Sequence, residues 1–183
     1  MKRNWIVAAL VAIAALVIVY QQIETRAKTA ASMEGAAPKA GYRAPSLELA
    51  ALGGETYRVG GKRDKPLLIN FWASWCEPCQ KEAPDLQAIY VKYEGRFDLY
   101  AVNLTSRDTQ GEAEAMAKRF GFTFPILLDP DGAAEKRYEV RTIPTSYLID
   151  SSGNVAEVLR VLDAGDLDAK LQGMIGGSIN HDK

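Results

Sequence analysis

The sequence predicts an α/β fold, α+β by stricter taxonomy, with a central mixed β-sheet flanked by helices. Three observations lead there. Strand and helix signals alternate from residue 66 onward; the run "PLLINFW" (66–72) is apolar almost throughout, as a strand covered on both faces would be; and the last two strand signals are joined by a short turn before a final helix. With 183 residues, 48% of them hydrophobic and 25% charged, the chain has room for one ordinary domain and some additional segments.

The N-terminus opens with Lys2 and Arg3, followed by an uncharged run from Trp5 to Tyr20. As a helix this run would span roughly 24 Å, and with Ile23 it reaches across a bilayer. Residues 1–23 are therefore expected to form an uncleaved signal anchor, although "AKTAAS" (27–32) offers a cleavage site. Arg26 and Lys28 beyond the run balance the two basic residues before it, so charge alone barely orients the segment. Residues 24–42 contain Ala, Gly, Lys and Pro38 without apolar periodicity and are expected to be a flexible tether reaching roughly 25 Å.

The folded domain is expected over 43–176, with a short tail at 177–183. "SLELAAL" and "ETYRV" around Gly53-Gly54 read as a hairpin. After the strand at 66–72, a helix is expected from about Cys76 to Tyr93, where Pro84 predicts a kink and Gly95 a stop. The strand "FDLYAVNL" (97–104) follows, then a helix capped by Asp108 or Thr109 and ending before Gly121. "FPILLD" is a strand, "DPDG" (129–132) a turn, and 133–138 a short helix. "TSYLID" and "VAEVLRVL" are strands joined at "SSGN", and a last helix covers 166–174.

Composition removes several function classes. The net charge is −1 with scattered basic residues, which does not suit a nucleic-acid binder. The single histidine, His181, lies in the tail, which argues against Cys-His and Ser-His-Asp catalysis and against most zinc sites.

Both cysteines fall within "NFWASWCEPCQKEAP" (70–84). Cys76 follows the buried strand at the first turn of a helix, where free N–H groups and the helix dipole favour a thiolate. It is expected to be the exposed, attacking sulfur, with Cys79 resolving the mixed disulfide. Competing readings are half a metal site, a structural disulfide, a peroxidase of the peroxiredoxin type, and a redox-inactive module that holds unfolded chains. The first lacks a second ligand pair, the second would close too small a loop to stabilise much, and the third has Ala73 where a threonine is expected.

Trp75-Cys76-Glu77-Pro78-Cys79 after "NFWAS", with Pro84 in the following helix, resembles the active site of the thioredoxin superfamily. More narrowly it resembles the membrane-anchored thiol-disulfide oxidoreductases of ResA/TlpA type. "YAVNL" and "FPILLDPDG" are similar to that group's central insertion, and "TIPTSYLIDSSGN" to its cis-proline loop and final hairpin, so the likeness covers about residues 43–175. Glu77-Pro78 together with Glu82 resembles the version of the motif found in the ResA-type members. The resemblance implies a thioredoxin-like fold and a cell-membrane enzyme whose catalytic domain faces outward. Its expected work is keeping the haem-attachment cysteines of apocytochrome c, or another exported client, reduced. It also implies re-reduction by a membrane thiol-electron carrier, action as a monomer, and no cofactor beyond the redox-active Cys76–Cys79 disulfide. Trp75, Glu77, Pro78, Ile143 and Pro144 would contact the substrate, with Ile143-Pro144 in the cis form.

Two departures from generic thioredoxin matter. Asn70 stands where thioredoxins carry a titrating aspartate; Glu82, on the helical face of Cys79, reads either as an ordinary exposed helix charge or, as the resemblance favours, as the replacement carboxylate that carries the proton. Glu77 is expected to oppose ionisation of Cys76 and so to make the pair reducing. Trp72 and Trp75 are expected mainly to pack, with Trp75 shielding the disulfide, the sequon Asn103-Leu104-Thr105 is assigned no role, and Arg137 and Arg141 are read as a solvated face.

Overall fold

The computed structural model describes residues 13–22 and 35–177, in two compact units divided between Ala36 and Ala37. In the first unit, residues 13–22 form a helix (α1) with exposed side chains. Among the described residues no helix is long and apolar enough to cross a membrane. Most of the anchor expected at 1–23 and of the tether at 24–42 lies outside the described residues, as does the tail from 178.

The second unit begins earlier than the sequence suggests. Residues 37–42, read as tether, are bound to the domain: Gly41 N–H donates to Val155 O, and Val155 N–H to Tyr42 O. An edge strand carries unpaired backbone groups, and this segment satisfies part of that edge.

The hairpin forms as expected, β1 (Leu47–Ala50) antiparallel to β2 (Thr56–Val59). Then come β3 (Leu67–Trp72), α2 (Glu77–Lys92), β4 (Asp98–Asn103), α3 (Gln110–Phe120), β5 (Ile126–Leu128), α4 (Ala133–Arg137), β6 (Thr145–Ile149), β7 (Val155–Leu159) and α5 (Ala164–Gly177). The sheet order is β5-β4-β3-β6-β7; β3, β4 and β5 are parallel, while β6 and β7 run antiparallel to their neighbours. The fold is thioredoxin-like.

Alternation along β3 builds both sides of the core. Leu68 and Trp72 join a cluster with Leu86, Ile89, Met116 and Leu171 from α2, α3 and α5. Leu67, Ile69 and Phe71 face a second cluster with Val59 from the hairpin and Ala134 from α4. A strand buried on both faces must be apolar at nearly every position, and all six residues of β3 are buried. Trp72 packs edge-on against Phe122, as expected of a core residue.

Helix ends follow local chemistry. Thr109 caps α3 by accepting the Glu112 N–H, and Gly121 closes it in the left-handed region. Pro84 lies inside α2, where it leaves the Gln80 carbonyl without its usual helical donor. The sequon residue Asn103 is fully buried and donates to Asp108.

Two glycines predict different penalties. Gly153 has φ +88°, and an added Cβ would lie 2.5 Å from the Gly61–Lys62 backbone; Gly121 has φ +64° and open space. Gly153→Ala should cost about 2–3 kcal/mol in urea unfolding, whereas Gly121→Ala should cost about 1 kcal/mol, because only the backbone conformation is strained there.

Candidate active site

Cys76 is the N-cap of α2, in extended conformation, and its Sγ accepts the Cys79 N–H at 3.2 Å. Proline within the first turn fits this start, since its missing N–H would lack an intrahelical partner there. The two cysteines form a disulfide. The expectation that Cys76 is the exposed sulfur is not met: Cys76 is 4% and Cys79 2% exposed. The reason is that the N-cap residue tucks against the buried end of β3 and packs in the core cluster beside Cys79. What distinguishes Cys76 is its place at the positive end of the helix.

Beneath the pair, Glu82 is 5% exposed on the buried face of α2. Its Oε1 accepts a hydrogen bond from Asn70 Nδ2 at 2.8 Å, and the other hydrogen of that amide goes to Ser146 Oγ at 2.9 Å. Strand register creates this node, because Asn70 and Ser146 are direct partners in the β3–β6 pairing. Oε2 is buried without a hydrogen-bond partner. Burial pushes the Glu82 carboxyl up to about 7, against the opposing effects of the Asn70 amide and the nearby Leu162 backbone. The carboxyl can therefore be charged or neutral near neutral pH.

Ile143-Pro144 is a cis peptide. Pro144 is buried and directly precedes Thr145, which pairs with Phe71 near the end of β3, so the loop lies at the same end of the sheet as the cysteines. Ile143 packs against the core cluster that contains both of them. Trp75 is 58% exposed, and its indole N–H donates to Arg107 O at 3.0 Å. Glu77 and Pro78 are exposed on the first turn.

Glu77 does not act as a lone charge. Lys81, one turn on, pairs with it at 2.8 Å and, by hydrogen bond and charge, holds its carboxyl below the ordinary value. Solvent surrounds both side chains, so the expected repulsion of a Cys76 thiolate is offset and screened. This removes the sequence-based reason for a reducing potential. Arg137 is also corrected: rather than belonging to a solvated face, it donates to Ser46 O.

Sequence reasoning did not anticipate the support around Ser74. Asp108, considered there only as a cap, accepts hydrogen bonds from Ser74 N (2.6 Å), Ser74 Oγ (2.7 Å), Asn103 Nδ2 (2.8 Å) and Thr109 N (2.9 Å). Ser146 was also missed, since a lone serine in a strand carries no distinguishing signal.

Comparison with known proteins agrees with this geometry. The model of the AhpC/TSA family matches residues 40–158. The chain is 35% identical over 127 residues to the thiol-disulfide oxidoreductase ResA of Geobacillus kaustophilus, covering 69% of this chain and 72% of that one. It is 34% identical over 119 residues to the thioredoxin-like protein YneN of Bacillus subtilis, covering 64% and 69%. The crystal structure of StoA from Bacillus subtilis superposes with a TM-score of 0.61 at 31% identity, covering 68% of this chain and 94% of that one. The chain belongs to the AhpC/TSA family and is a thioredoxin-like thiol-disulfide oxidoreductase of ResA/StoA type.

Proposed function

We propose that this oxidoreductase works outside the cytoplasmic membrane, held there by its N-terminal segment, and reduces the disulfide between the haem-attachment cysteines of apocytochrome c. The uncharged run 5–20 behind Lys2 and Arg3 supports the location, and the ResA-like Glu77-Pro78 and Glu82 support the client. The observation that carries the reading is the carboxyl of Glu82, buried three residues beyond Cys79 with a pKa near 7.

In the reduced enzyme the Cys76 thiolate attacks one client sulfur, and the other leaves as a thiolate and takes up a proton. Cys79 then passes its proton to Glu82 and attacks Cys76 Sγ. The second client sulfur departs, two electrons have moved to the client, and the Cys76–Cys79 disulfide has formed. A membrane thiol-electron carrier restores the dithiol. Trp75, Pro78, Ile143 and Pro144 form the client's contact surface, with Glu77 at its charged margin. A peroxidase finds no side-chain donor at the buried Ala73.

Cys79→Ser, expressed in the native host, should hold its client on Cys76, and mass spectrometry of the adduct should identify an apocytochrome c. Capture of a different exported protein would remove the cytochrome reading and leave the exchange chemistry standing. Absence of any Cys76 adduct would remove Cys76 as the attacking sulfur.

Glu82→Gln should lower the exchange rate on the order of 10²-fold and flatten its pH dependence around 7. Stability offers a second readout. Burial lifts this acid from 4.5 to about 7, so between those pH values the folded state holds its proton more tightly than the unfolded chain. Stability therefore falls as pH rises through this window, by on the order of 3 kcal/mol in full. Urea unfolding should show Glu82→Gln gaining on wild type above pH 7 and losing that advantage toward pH 4. An unchanged rate and pH profile would leave the carboxyl without a part in exchange.

A further inference from the structure

We propose that Asp108 is a positioning residue for disulfide exchange: it clamps the Ser74–Trp75 turn and so fixes both the Cys76 helix cap and the Trp75 indole that borders it. The proposal rests on the reading of Cys76 as the reacting sulfur. Between β3 and α2 the chain has four residues, Ala73 to Cys76, in which to leave the sheet and start a helix. Inside that turn, the Cys76 N–H donates to Ala73 O at 3.1 Å, and Gln80 Nε2 holds Ser74 O at 2.7 Å.

The remaining polar groups of Ser74 are both taken by one carboxylate. Asp108 Oδ2 receives the backbone N–H and Oδ1 the hydroxyl, a two-point grip that fixes orientation as well as distance. The carboxylate is held in turn by Asn103, at the end of β4, and by the Thr109 N–H at the start of α3. Burial works to raise its pKa, but these bonds prevail and keep it below the ordinary value, so it stays charged in the working range.

The adjoining residue extends the grip to Trp75. Arg107 O accepts the indole N–H, and the Arg107 side chain is paired with Glu135 on α4. Trp75 is more than half exposed yet tied at its polar edge, so its ring cannot turn freely away. Through two consecutive residues, Arg107 and Asp108, the β4–α3 loop thus holds two consecutive residues before Cys76. Loosening this grip should let the cap and the indole wander from the geometry in which exchange occurs.

The test is steady-state reduction of a synthetic disulfide-bridged Cys-Xaa-Xaa-Cys peptide, with dithiothreitol as electron donor, by the full chain. Asp108→Asn, nearly isosteric but uncharged, is expected to lose about tenfold in kcat/KM while thermal unfolding shows the protein folded at the assay temperature. Trp75→Phe should lose less, and the double variant should lose little more than Asp108→Asn alone, because both changes release the same indole. Ser74→Ala should fall about threefold and Ser74→Thr, which restores the hydroxyl, should recover; this pair carries the test should Asp108→Asn fail to fold. Wild-type kcat and KM in folded Asp108→Asn, or losses that multiply in the double variant, would overturn the proposal. Loss of exchange in Cys76→Ser checks the underlying reading separately.

Discussion

Asn70 divides the two hydrogens of its amide between Glu82 on α2 and Ser146 on β6, and the arrangement around the disulfide depends on those two bonds. A carboxyl placed under the first turns of a buried helix is costly unless something binds it. An aspartate at position 70 would repel Glu82 when both were charged, whereas an amide donates to it in either protonation state. Asn70 on the strand and the glutamate three residues beyond Cys79 therefore form a matched pair, the amide supporting the buried carboxyl.

The node also fixes distances. Asn70 and Ser146 face each other because β3 and β6 pair in one register, and the same register brings Thr145, and so the cis-Pro144 loop, to the end of β3 from which the cysteine turn departs. A shift of one residue would turn Asn70 toward the hairpin side and separate Glu82 from its donor. Apolar residues filling both faces of β3 hold that register, so the core that stabilises the sheet also sets which donor meets the Glu82 carboxyl.

Above the disulfide, charge acts differently. Glu77 and Lys81 are solvated and partnered, so their field on Cys76 is weak. Asp108 is partly buried with four donors, and its charge serves to organise a turn. The carboxylate nearest the cysteines in sequence thus exerts little structural control, while one that lies 32 residues beyond Cys76 holds the turn on which Cys76 sits.

The order of elements was legible in the sequence because each rests on local chemistry: two-sided apolar runs for the strands, Thr109 and Gly121 for the ends of α3, Gly53-Gly54 for the hairpin. The cysteine motif and Glu82 were legible too, since a spacing of three residues on a helix is itself a geometric statement. The tertiary structure decided what depends on contacts distant in the chain. It buried Cys76 against the end of β3, gave Glu77 a counter-ion, brought residues 37–42 onto the β7 edge, and gave Asn70 its second partner in Ser146 and Ser74 its clamp in Asp108. Hydrogen bonds between residues 34 or 76 positions apart leave no periodicity and no composition signal, so only the packed sheet, with its register set by the core, could show that those side chains meet.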